Sequence, residues 1–267
     1  MAVVTGASRG IGRAVALELA ARGFDTVATM RDVDAGASLP SEAAARGGRA
    51  RVERLDVTAP ASIDLPDGLR VLVNNAGVER PHHPFETTPM DDWRAMFETN
   101  VFGLIEVTKR AIALMRQAGG GVICNVTSSS LFAPVPFYSP YRASKAAVSA
   151  LGESLRTELA PLGIRLVEIM PGPIETDMLA SSEEPPAALE HDTYRPMAQR
   201  SHDLRANVKD SYTSAADAAT AIVDAICDDD GPLRYGCDAM SVGLLQMWRT
   251  TPDEDLMKMM SQGWLGA

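Results

Sequence analysis

The sequence predicts an α/β chain: a three-layer fold around a doubly wound parallel sheet of about seven strands. Short β-branched runs alternate with longer stretches whose apolar residues recur at helical spacing. A glycine-rich turn joins the first run to the first helical stretch. The 267 residues contain no linker-like segment, so residues 1–267 are read as a single domain.

Taken in order, Ala2 to Thr5 reads as a strand, and Ile11, Val15 and Leu19 mark the helix behind it. Thr26 to Thr29, Arg51 to Leu55 and Val71 to Asn74 are the next strands. Pro60 and Pro66 predict a short, partly helical crossover over 56–70. Phe97, Val101, Leu104, Thr108, Ile112 and Met115 form one stripe of a long helix. Gly121 to Thr127 is a fifth strand, and Val148, Leu151, Leu155 and Leu159 mark the following helix. Arg165 to Met170, a helix over Ala215 to Ile226, and a strand at Leu233 to Tyr235 complete the alternation. Right-handed βαβ crossovers make this a Rossmann-type sandwich with its ligand at the carboxyl ends of the strands. Residues 178–212 are polar and carry Pro185-Pro186; they read either as a lid over that crevice or as a disordered stretch. A tail from Asp238 exceeds what the alternation needs.

Composition excludes several functions. With 25 basic against 35 acidic residues the net charge is −10, which repels phosphate backbones and argues against nucleic acid. No run approaches the roughly 20 apolar residues of a membrane span, and the first strand begins so early that no leader is expected. Cys124, Cys227 and Cys237 lack paired spacing, which fits a reducing cytoplasm. The four histidines show no metal-ligand spacing, so no metal is expected.

Three groups carry chemistry. Thr5-Gly6-Ala7-Ser8-Arg9-Gly10-Ile11-Gly12 lies between strand and helix, where glycines let the backbone approach a pyrophosphate held by the helix N-terminus. Tyr141 and Lys145 stand four apart on one helical face, so the ammonium favours phenolate. Ser128 brings a hydroxyl to the carboxyl edge of the sheet, with Thr127, Ser129 and Ser130 as alternatives.

With Asn74-Asn75-Ala76-Gly77, Asn100 and Pro171-Gly172-Pro173-Ile174-Glu175-Thr176 following in order, the chain resembles the short-chain dehydrogenase/reductase family from Val3 to about Met178. Ala28 to Asp32 with Leu55 to Val57 is also similar to its hydroxysteroid and retinol dehydrogenase-like members. The resemblance implies that Tyr141 is the general acid in carbonyl reduction and the base in alcohol oxidation. Lys145 would bind the nicotinamide ribose and depress the tyrosine pKa, and Ser128 would hydrogen-bond the substrate oxygen. Asn100 would hold a relay water. Gly6, Ser8, Arg9, Gly10, Ile11 and Gly12 would cradle the phosphates. Asn74, Ala76 and Gly77 would line the adenosine ribose side, Asp56 and Val57 the adenine, and Ile174 and Thr176 the nicotinamide, with Pro171 and Gly172 also binding the cofactor.

By the same resemblance the cofactor-selecting position is Met30, which is not acidic, while Arg31 and Arg9 offer forked donors to a 2′-phosphate. NADP(H) is therefore favoured. NAD(H) stays open, because Asp32 lies at the generic spacing from Gly12 for an acid that reads the 2′-hydroxyl. The expected substrate is a mostly apolar carbonyl or alcohol, flanked by Phe132, Val135, Phe137, Met178 and Leu179 and covered by Trp248, Met257 and Met259. A homodimer or homotetramer is expected through the helices of Phe97 to Met115 and Val148 to Leu159. Rival readings are an NAD-dependent alcohol dehydrogenase, a non-catalytic NADP-binding regulatory module, or an epimerase or dehydratase that retains its cofactor.

Overall fold

In the computed structural model, which describes residues 1–182, 184–207 and 209–266, seven parallel strands form one sheet in the order β3-β2-β1-β4-β5-β6-β7. They are β1 (Ala2–Thr5), β2 (Asp25–Met30), β3 (Arg49–Arg54), β4 (Val71–Asn74), β5 (Gly121–Val126), β6 (Ile164–Ile169) and β7 (Arg234–Tyr235). Successive side chains of a strand face opposite ways, and the apolar residues sort accordingly. Val4, Ala28, Val73, Cys124 and Val167 pack into one layer with α1 (Gly10–Ala21). Val3, Val27, Leu72, Ile123 and Leu166 pack into the other. The chain leaves β1 for β2 on one side and returns to β4 on the other. That reversal opens a crevice at the carboxyl ends of β1 and β4.

A short helix α2 (Leu39–Ala45), which the sequence reading omits, joins β2 to β3. The crossover after β3 carries one 3-10 turn, Pro60–Ser62, in keeping with its prolines. The helix expected after β4 is three pieces: α3 (Met90–Phe97), a π-helical segment Glu98–Gly103, and α4 (Leu104–Gln117). A Cβ on Gly103 would stand 2.7 Å from Val57 Cγ2, so close approach of the two backbones fixes glycine there. The π segment presents Asn100 to the interior, an insertion typical of functional regions. Helix α5 (Ser139–Leu159) follows β5 and carries both Tyr141 and Lys145.

Residues 178–212 are structured where described. Helix α6 (Asp177–Ser182) and helix α7 (Arg195–Ala206) bracket a 3-10 turn, Ala187–Glu190. After α8 (Ala215–Cys227), the tail forms α9 (Ala239–Thr250), capped at Asp238, and α10 (Asp253–Leu265). Arg200 of α7 donates to the Trp264 carbonyl of α10 at 2.8 Å, which docks the tail on the 178–212 segment. Among the described residues, no helix is long and apolar enough to cross a membrane, and no cluster of three metal-ligating side chains occurs.

Candidate active site

The crevice is a cavity of about 590 Å³, and its floor is the turn between β1 and α1. Gly6 adopts φ +65°, and a Cβ there would meet the Ala76 Cα at 2.8 Å. A Cβ on Gly12 would meet the Gly6 carbonyl at 2.5 Å. Only glycine leaves this floor open while the first turn of α1 directs its free N–H groups into it. Ser8, Arg9, Gly10 and Ile11 complete the floor, and Ala76 and Gly77 rise beside it. At the far end stand Arg31, Asp56 and Val57, and along the opposite wall Pro171, Gly172, Ile174 and Thr176. Burial pushes the Asp56 carboxyl up, but hydrogen bonds from the Thr58 N–H and hydroxyl, with Arg31 and Arg54 nearby, outweigh it, so the group lies below its ordinary pKa. Asp32 does not line the cavity; its carboxylate accepts from the Asp34 N–H at 3.1 Å. Such an elongated recess, glycine-floored and closed by a helix N-terminus, fits a dinucleotide.

Tyr141, Lys145 and Ser128 share the next stretch of wall. Lys145 is buried; its ammonium donates to the Val126 carbonyl at 2.9 Å and lies 5.7 Å from the Tyr141 ring centroid. Burial pulls its pKa down to about 8, with the charge of Glu79 opposing. For Tyr141, burial is the main influence, and together with Glu79 it raises the phenol above its ordinary pKa; hydrogen bonding with Ser128 works the other way. This corrects the expectation that Lys145 depresses the tyrosine in the site as it stands: the ammonium is turned to a backbone carbonyl, and the phenol is buried. Ser128 sits two positions past β5, where its Oγ also accepts from the Ser130 N–H at 3.2 Å.

Two expected site residues lie away from the wall. Asn74 ends β4 with its side chain inside the helix layer, donating to Thr108 Oγ1 and Asn125 Oδ1, each at 2.9 Å. Its neighbour Asn75 has left the strand and lines the cavity, donating to the Thr5 and Gly6 carbonyls. Asn100 braces the site from behind: its amide bonds both backbone groups of Val78 and donates to Ser144 Oγ at 3.0 Å.

The remaining wall is mostly apolar. Val135, Met178 and Leu179 line it as expected, whereas Phe132 is packed in the core with Met170 and Leu245. Phe137 stands edge-on to Tyr194, and Trp248 covers Phe132 from outside. Met257 and Met259 face outward; Met260 and Trp264, on the other side of α10, line the cavity instead. Leu204 and Arg205 of α7 and Met240 and Leu244 of α9 join them. Sequence reasoning missed Asn75, Glu79, Arg205, Met260 and Trp264. Only helical periodicity in the tail could have separated Met260 from its exposed neighbours.

Comparison with known proteins gives the same picture. A family model described as short chain dehydrogenase matches residues 1–187. An uncharacterized oxidoreductase of Bacillus subtilis (strain 168), YusZ, is 40% identical over 191 residues, covering 68% of each chain. A short-chain dehydrogenase structure from Streptomyces avermitilis superposes with a TM-score of 0.75 at 31% identity, over 99% of this chain and 95% of that one. Another, from Burkholderia cenocepacia J2315 in complex with NADP, superposes with a TM-score of 0.74 at 25% identity, over 97% and 96%.

Proposed function

The chain belongs to the short chain dehydrogenase family and is an oxidoreductase acting on small molecules with NAD(P), and on that premise we propose that it interconverts a carbonyl and an alcohol of a mostly apolar compound, with NADP(H) as cofactor and Tyr141 as general acid and base. The observation that carries this reading is that Tyr141, Ser128 and Lys145 line the same cavity as the glycine floor. A bound nicotinamide dinucleotide supplies or accepts the hydride at the substrate carbon.

The protein's own groups do the rest. Gly6 to Gly12 with the N-terminus of α1 would hold the phosphates, Asn75, Ala76 and Gly77 the adenosine ribose side, Asp56 and Val57 the adenine, and Ile174 and Thr176 the nicotinamide. Ser128 donates a hydrogen bond to the substrate oxygen and orients it toward Tyr141. In reduction the phenolic proton passes to that oxygen as negative charge develops; in oxidation the phenolate takes the hydroxyl proton. Asn100 fixes the Val78 backbone and, through Ser144, the first turn of α5, so it supports the site as a brace.

Selection of NADP(H) is supported by Arg9 and Arg31 in the wall and by the engagement of Asp32 with its own turn. The relative with bound NADP points the same way. A homo-oligomer in a reducing cytoplasm, with no nucleic-acid partner, completes the proposal. A panel of aldehydes, ketones and secondary alcohols, followed by absorbance of the reduced cofactor, tests it. Turnover of apolar substrates with NADPH preferred to NADH by about tenfold or more is expected. A strong NADH preference overturns the cofactor assignment, and absence of any turnover overturns the reaction.

A further inference from the structure

Glu79 is an acidic side chain in the wall of a mostly apolar cavity, next to the proton donor, and nothing in the mechanism above uses it. It follows Val78, whose N–H and carbonyl are both bonded by Asn100, so the backbone that presents it is fixed. Its Oε1 lies 2.5 Å from His82 Nε2, and both side chains are largely buried. The His82 ring packs on Tyr138 at 4.2 Å between centroids, and Tyr138 stands edge-on to Tyr141 at 5.6 Å. Glu79 raises the phenol of Tyr138, which lies beneath the Arg205 guanidinium of α7 at 5.1 Å. The charged and titratable groups around the donor are therefore Glu79 and His82 from the β4–α3 loop, Tyr138 and Lys145 from the region of α5, and Arg205 from α7. Arg80, the neighbour of Glu79, is turned toward Asp92 at 3.8 Å.

We propose that Glu79 is a positioning residue for the reaction: its carboxylate, clamped by His82 beside Tyr138, holds the proton on Tyr141 and biases the site toward carbonyl reduction. The inference rests on the reading of Tyr141 as proton donor. A largely buried negative charge opposes formation of a second one on the neighbouring phenol. It also favours the charged form of Lys145, but that ammonium donates to the Val126 carbonyl, so the direct repulsion between carboxylate and phenolate is the larger influence on Tyr141. Burial and the charge of Glu79 likewise hold Tyr138 protonated, so that ring stays a neutral spacer between the carboxylate and Tyr141.

The test is the pH dependence of Glu79→Gln, which keeps size and hydrogen-bonding capacity but removes the charge. With less opposition to phenolate, the rising limb of alcohol oxidation and the falling limb of carbonyl reduction should both move about one unit toward lower pH. On the rising limb this makes oxidation about tenfold faster at fixed pH. Glu79→Asp should stay close to the parent profile, and Glu79→Ala, a shortening at a cavity wall, should move it as Gln does. The near-ultraviolet absorbance of tyrosinate with NADP⁺ bound, taken as parent minus Tyr141→Phe, should show the same displacement without turnover. Unmoved profiles and absorbance in both charge-removing variants overturn the role of Glu79. A parent enzyme that turns over nothing overturns the functional reading alone, and the absorbance then decides the role of Glu79 independently.

Discussion

Lys145 shows how a group proposed for catalysis destabilises its fold. Its pKa in the folded protein, about 8, lies below the ordinary lysine value because burial strips water from the ammonium. The folded state therefore binds fewer protons than the unfolded state between about pH 8 and 10.5, and stability contributed by this group rises with pH across that window. Below about pH 8 the penalty is fully present, on the order of 3 kcal/mol. Lys145→Met should accordingly be more stable than the parent at pH 7, and the gap should narrow as pH rises toward 10, as thermal melts at stepped pH will show. Arg31 is the second residue-scale case. Arg31→Ala should weaken NADPH binding about tenfold or more and leave NADH nearly unchanged, measured by fluorescence titration. The glycine turn could be read from sequence because the backbone there demands glycine, whereas Tyr141 and Ser128 stood out through their place in the ordered motifs of the family. Asn74 and Asn75 could not be told apart although β4 was read to its last residue, because successive side chains face opposite ways and only the fold shows which face borders the cavity. Glu79 carried no signal at all, since its partners His82, Tyr138 and Tyr141 meet it only after folding.

At the scale of elements, the strands were legible to within one or two residues because the buried parallel strands read as apolar runs and the edge strand β3 falls in step with their alternation with helices. The 178–212 segment and the tail were not, because α7 and α10 bury little in the sheet and chiefly cover the cavity and each other. Ending the chain before Pro252 removes Met260 and Trp264 from the wall. It should raise KM for apolar substrates about tenfold while NADPH affinity holds. The sheet edge depends on a different device. Glu168, 1% exposed on β6, accepts from Thr127 at 2.9 Å, Ser149 at 3.1 Å and Arg234 Nε at 3.0 Å. Arg234→Ala leaves that carboxylate buried without its cation and should cost about 3 kcal/mol in denaturant unfolding. A smaller loss would mean that the two hydroxyls suffice.

For the molecule as a whole, the topology is what brings distant residues to one cavity. Strands β1, β4 and β5 end side by side, so the glycine turn, the Asn75 loop and Ser128 meet although far apart in sequence. The alternation of strands and helices made that legible, since parallel order with right-handed crossovers admits few alternatives. Assembly was less legible, because apolar stripes on α4 and α5 serve the sheet first. Phe102 remains 53% exposed in the π-helical segment before α4, and sedimentation equilibrium should return a dimer or tetramer; a monomer at micromolar concentration would contradict the assembly proposed. The most direct test of the whole account compares the parent with Tyr141→Phe for NADPH binding and carbonyl reduction. The account predicts unchanged NADPH affinity and a loss of turnover of about a hundredfold or more. Retention of most activity by the phenylalanine variant would contradict it.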